Sequence, residues 1–139
     1  MEHEDVDNRH HQVEVYLRHA RKALDSAASS LEHGFHITAT NRAYYAVFYA
    51  TSGLLLSKGI SRSRHTGVIA AFREHFVKPG LVEAEYSDLY GAVMESRISG
   101  DYELASETNS STSAKAVDSA RRFVERVSAY LLKTEGIRT

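Results

Sequence analysis

The 139-residue chain contains no cysteine, no tryptophan and a single proline. The missing thiols exclude a disulfide scaffold, a thiol nucleophile and any zinc site built on thiolates. One proline in a chain that is 42% apolar and 25% charged also excludes a proline-rich linker array and extended disorder. Nowhere do about 18 apolar residues follow one another, as a membrane-spanning helix requires. Residues 43–56 come closest, but Thr51, Ser52 and Gly53 interrupt them, which suits a buried helix. The first residues, Met1-Glu2-His3-Glu4-Asp5, are acidic and lead into no apolar run, so the expectation is a cytoplasmic protein with neither secretion signal nor transit peptide. There is no excess of one charge: 17 Lys and Arg face 18 Asp and Glu, for a net charge of −1. Overall charge therefore gives no bias toward nucleic acid. At this length one domain over residues 1–139 is expected, with roughly two-thirds of the unfolded surface buried on folding.

The distribution of charge carries more than its sum. Lys58, Arg62, Arg64, Arg73 and Lys78 share residues 58–78 with the lone acid Glu74. Over residues 79–110 the sign reverses, and Glu83, Glu85, Asp88, Glu95, Asp101, Glu103 and Glu107 face only Arg97. Such blocks serve solvated helix faces, internal pairing or partner contact alike.

Helical periodicity dominates. Val13, Leu17, Ala20, Leu24, Ala27 and Leu31 recur at four- and three-residue steps, one apolar stripe of a long first helix that Gly34 ends, with His10 and His11 at a frayed start. A second helix over residues 38–57 is apolar on too many sides for a surface position and should be central; its tyrosines need hydrogen-bond partners. Residues 58–65, rich in glycine and serine, break the pattern before Thr66 caps a short third helix carrying Ile69, Phe72 and Phe76, which Pro79-Gly80 stops. A fourth helix over 82–99 carries Tyr86, Tyr90, Val93 and Arg97 on one stripe, with Gly100 as terminator. Ser, Thr and Asn side chains of residues 106–113 cap a last helix with Val117, Ala120, Val124, Val127 and Leu131 in register. No segment alternates as a strand and no internal repeat appears. The fold expected is an all-α antiparallel bundle of about five helices.

Few residues offer chemistry. No glycine loop follows a strand, which excludes phosphate cradling of that kind. His33 and His36 flank Gly34 without a third ligand, so no metal and no cofactor are expected. The segment Arg97-Ile98-Ser99-Gly100-Asp101-Tyr102 stands out, because a guanidinium on an apolar stripe needs a partner. Two readings are open: an Arg97–Asp101 ion pair with Tyr102 packed over the turn, or Arg97 as a phosphate-binding fork.

Asn41-Arg42-Ala43-Tyr44-Tyr45-Ala46-Val47-Phe48-Tyr49-Ala50, His65-Thr66-Gly67-Val68-Ile69, Phe76-Val77-Lys78-Pro79-Gly80 and residues 97–102 together resemble the HEPN domain family (higher eukaryotes and prokaryotes nucleotide-binding), over nearly the whole chain. The likeness is to the small stand-alone prokaryotic branch. It implies a helical protein that dimerises and is encoded beside a minimal nucleotidyltransferase, in a module of toxin–antitoxin type. HEPN ribonucleases pair an arginine with a histidine a few residues on, across a dimer, and cut RNA without metal. Arg97 matches the arginine, but Tyr102 stands at the histidine's place and no histidine follows His75.

A 2′-hydroxyl is activated by a base of near-neutral pKa. Histidine supplies one at about 6.5, whereas tyrosine sits near 10, and shifting it three units takes about 4 kcal/mol. Arg97 favours that shift and Asp101 opposes it. The resemblance therefore implies first a dimeric protein binding the phosphates of nucleotide or RNA through Arg97, with Asp101, Lys58, Arg62, Arg64 and His65 as further binding residues and tyrosine hydroxyls adding polar contacts. The alternatives are a metal-independent ribonuclease using Arg97 with Tyr102, or with His65 if folding brings it there, and a ligand-free helical interaction module. In such two-gene pairs the partner enzyme can also add AMP to a tyrosine of the arginine motif, at a position that Leu104 occupies here.

Overall fold

The computed structural model describes residues 2–102 and 110–138, with side chains described for 4–97 and 111–138. The chain forms α1 (Glu2–Glu32), α2 (His36–Ser57), α3 (His65–Phe72), a π-helical turn (Arg73–Val77), α4 (Ala84–Tyr102) and α5 (Ser110–Glu135). No strand occurs among the described residues, and the all-α bundle is as expected.

The first helix buries Val13, Leu17, Ala20 and Ala27 completely and half-buries Leu24 and Leu31, the stripe read from the sequence. It starts at Glu2 rather than fraying at residue 10, and His10 Nε2 lies 3.5 Å from Glu135 at the end of α5, so its imidazole ties two helices together. Gly34 turns the chain with φ +80°, the left-handed conformation that glycine adopts without cost. That turn lets the Phe35 amide reach the Ser30 carbonyl at 2.8 Å.

The second helix is the axis of the bundle, in contact with α1, α3, α4 and α5. Small residues make this possible. Ala43, Ala46, Ala50 and Gly53 are buried, and a Cβ added at Gly53 would sit 3.1 Å from the Tyr16 Cβ and 3.4 Å from the Val13 carbonyl oxygen. Helices α1 and α2 thus approach closely where α2 has no side chain at all.

Three helix ends differ from expectation. Arg64, extended at ψ 141°, precedes α3, and no side chain caps it; Thr66 is exposed inside the helix rather than its cap. The fourth helix continues through Gly100 to Tyr102, because a glycine weakens a helix by only about 1 kcal/mol and stops it only where the backbone turns left-handed. Ser110 to Ser113 lie inside α5 rather than before it, and the buried Ser113 hydroxyl pairs with His36 Nδ1 at 3.0 Å. Ser106, expected among the caps, lies outside the described residues. Pro79-Gly80 ends the π-helical segment as expected: Gly80 has φ +81° and the Val82 amide turns back to the Phe76 carbonyl at 3.0 Å.

Candidate phosphate-binding site

Neighbouring positions on α2 face different ways, and Tyr44 and Tyr45 show it. Tyr44 is fully buried, Tyr45 is half-buried, and their rings meet edge-on at 5.4 Å. Phe48, one turn further, extends the same platform, 6.2 Å from each. Two other helices lay polar groups on it. From α3 comes His65, whose imidazole lies 4.6 Å from the Phe48 ring, 5.4 Å from Tyr44 and 5.9 Å from Tyr45. From α4 comes Arg97, its guanidinium carbon 5.0 Å from the Tyr44 ring and 5.7 Å from Tyr45. A cation over a ring face is attracted by the ring quadrupole, and the stripe Tyr90-Val93-Arg97 directs α4 onto α2 here.

Among the described residues no carboxylate pairs with Arg97, and its Nε is buried without a hydrogen-bond partner. A guanidinium carries five donors in a planar fork suited to carboxylate or phosphate. The ring contacts hold this one in place, and among the described residues no acceptor is bonded to its Nε. Burial first, and the Arg97 charge second, lower the His65 pKa below 6.5, so its ring is neutral at pH 7 and able to take up a proton. Tyr44 goes the other way: burial outweighs Arg97 and pushes its phenol up to about 12, which makes it a neutral wall and not a base.

The other sequence candidates are scattered. Lys58 caps α2 about 20 Å along the helix axis from Tyr45; its ammonium donates to the His75 carbonyl at 3.3 Å and lies over the Phe76 ring at 4.6 Å. Arg62 donates to the Ser61 carbonyl at 2.8 Å and lines a separate cavity of about 140 Å³ with Gln12, Tyr16 and Ser52. Arg64 is exposed at the entry to α3. Of the basic loop, only His65 reaches the platform that Arg97 occupies. Asp101 and Tyr102 end α4, but their side chains lie outside the described residues, and so does Leu104. His33 and His36 point to separate partners, the Ser29 carbonyl at 2.8 Å and the Ser113 hydroxyl, and no group of three metal-ligating side chains occurs among the described residues.

Arg42 was not singled out by sequence reasoning as a site residue. Its guanidinium carbon lies 5.1 Å from the Tyr45 ring, on the same ring that Arg97 touches. A signal existed: a basic residue three positions before a tyrosine, on a helix with few other charges, is within reach of that ring.

The structure is thus a helical bundle that gathers an arginine and a histidine over tyrosine rings. Comparison with known proteins gives it a family. The HEPN domain model matches residues 13–130, and the chain belongs to the HEPN domain family. A "UPF0332 protein" of Thermotoga maritima is 47% identical over 90 residues, covering 65% of this chain and 68% of its own. Two proteins of Methanocaldococcus jannaschii, each named "Putative toxin", are similar over greater lengths. One is 25% identical over 121 residues, 87% of this chain and 82% of its own. The other is 28% identical over 120 residues, 86% and 89% respectively. No helix among the described residues is long and apolar enough to cross a membrane.

Proposed function

We propose that this HEPN protein binds the phosphate groups of RNA or a nucleotide at Arg97 with His65 beside it, and that it acts as a toxin-type dimer whose partner is a minimal nucleotidyltransferase. One observation carries the reading. The Arg97 guanidinium is fixed on Tyr44 and Tyr45, has no carboxylate among the described residues and keeps a buried Nε without a hydrogen bond. A phosphate is an acceptor whose geometry suits the bidentate fork of a guanidinium. The names of the two Methanocaldococcus relatives support the toxin part of the reading, and the family resemblance supports the dimer and its partner.

A second reading, metal-independent RNA cleavage, is favoured by His65. A neutral imidazole next to a permanent cation can take the proton of a ribose 2′-hydroxyl while the guanidinium stabilises charge developing on the phosphate. His65 serves this role better than Tyr102, since an ordinary phenol holds its proton until about pH 10.

RNA binding and RNA cleavage in EDTA by wild type, Arg97→Ala, His65→Ala and Tyr102→Phe, with circular dichroism confirming folding, test both readings. Binding that weakens in Arg97→Ala, with a salt slope smaller by about 1, supports the phosphate site. Cleavage lost in Arg97→Ala and His65→Ala but kept in Tyr102→Phe establishes the ribonuclease on His65. Wild type that neither binds nor cuts RNA, and binds no nucleotide, overturns both.

A further inference from the structure

The ring platform continues beyond His65. Tyr45 meets Tyr49 one turn further along α2 at 5.9 Å, and Tyr49 meets His19 of α1 at 5.6 Å. Tyr49 and His19, together with Gln12, Val15 and Tyr16, line an open groove of about 420 Å³ between the two helices. We propose that this groove seats an unpaired base of single-stranded RNA, so that the strand runs from the phosphate at Arg97 across Tyr45 to Tyr49 and His19. The proposal rests on the phosphate-binding reading above and names the form of nucleic acid that the site takes.

Charge, chemistry and size agree on this occupant. The Tyr45 ring lies under two guanidinium groups, Arg97 at 5.7 Å and Arg42 at 5.1 Å, and neither has a carboxylate partner among the described residues. Arg42 makes one long hydrogen bond, 3.4 Å to its neighbour Asn41. Two guanidinium groups astride a ring ladder suit a backbone of phosphates with bases attached, the combination used by single-strand binding grooves. The groove itself carries no acid. Its lining includes three rings, Tyr16, His19 and Tyr49, which can stack on any base, and the Gln12 amide, which can both donate to and accept from a base edge. Its volume falls within the range of small-ligand sites and accommodates a base with its sugar. A protein helix is a poorer match, because a helix lays its apolar face into a hydrophobic groove, whereas this lining includes the Gln12 amide and the His19 imidazole. The exposed large apolar side chains among the described residues, Val6, Phe35, Leu81 and Leu132, line no part of this groove. A duplex is also a poorer match, since its base faces are already stacked.

Fluorescence anisotropy with a fluorescein-labelled, non-cleavable 2′-O-methyl oligouridylate, alone and annealed to its complement, tests the proposal. The single strand should bind more tightly than the duplex. Tyr49→Ala should weaken single-strand binding about tenfold without changing its salt slope, and Tyr49→Phe, which keeps the ring, should restore it. Arg97→Ala should weaken binding and reduce the slope by about 1. If Arg97→Ala weakens binding and Tyr49→Ala does not, the groove is overturned and the phosphate site stands. If neither variant has an effect, or wild type binds no strand, both fall. If light scattering shows that Tyr49→Ala converts a dimer to a monomer while the monomer's affinity for the strand is unchanged, the groove holds a second copy of the chain and the proposal is overturned.

Discussion

Replacing Tyr44 by Phe should stabilise the protein. The Tyr44 side chain has no exposed surface, and its hydroxyl is buried with no hydrogen-bond partner. A hydroxyl held in that state costs about 1–3 kcal/mol relative to one hydrogen-bonded to water. Tyr44→Phe removes the hydroxyl and keeps the ring, hence the contacts to Tyr45 at 5.4 Å, Phe48 at 6.2 Å and His65 at 5.4 Å, and the seat for Arg97 at 5.0 Å. The ring slides little in so crowded a place, so we take the lower end of the range, a gain of about 1 kcal/mol. In a chain of this length that raises Tm by about 3 or 4 °C. Urea unfolding followed by circular dichroism should show a higher midpoint at an unchanged slope. The pH dependence adds a second check. The phenol pKa is raised from 10 to about 12 in the fold, so its contribution is fully present below pH 10 and is lost as pH rises toward 12. The advantage of the Phe variant should therefore widen over that window. A loss of 0.5 kcal/mol or more in Tyr44→Phe would refute the reasoning, because it would mean that the hydroxyl is well bonded.

Two glycines should respond oppositely to alanine. At Gly67 the nearest atom to a new Cβ is the Arg62 Cβ at 3.6 Å, an ordinary contact, so Gly67→Ala should gain up to about 1 kcal/mol from helix propensity. At Gly53 a Cβ meets the Tyr16 Cβ at 3.1 Å and the Val13 carbonyl at 3.4 Å, so overpacking of about 1–3 kcal/mol outweighs that gain and Gly53→Ala should lose about 1 kcal/mol in urea unfolding. His65 should titrate below 6.5 by NMR, and Arg97→Ala, which removes the second cause of that lowering, should move it upward. Since the unfolded chain binds this proton at higher pH than the fold does, the stability associated with His65 is present above pH 6.5 and is lost as pH falls toward the depressed value.

Much of the fold was legible because helix stripes are local. The spacing of Val13, Leu17, Ala20 and Ala27 on α1 and of Val117, Ala120, Val124, Val127 and Leu131 on α5 matches the residues that the bundle buries. Helix ends were less legible. Gly34 and Gly80 stop the chain as expected because each adopts positive φ, while Gly100 lies within α4, and residue type does not separate the two cases. Ser113, read as a cap, is buried against His36, a contact made 77 positions away in the chain.

The sequence by itself determined that this is a helical bundle of the HEPN type and that Arg97 sits on an inward stripe, since both depend on periodicity and on motifs within single helices. Only the tertiary structure decided what Arg97 meets. The basic loop offered Lys58, Arg62, Arg64 and His65 on equal terms, and packing brought His65 to Tyr44 and Tyr45 while Lys58 went to Phe76 and Arg62 to a separate cavity. The physical reason is that a stripe fixes the phase of a side chain about its own helix axis. Which ring it touches depends on how α3 and α4 are set against α2, and that is settled by the close approaches and rotamers of a core assembled from residues distant in the chain.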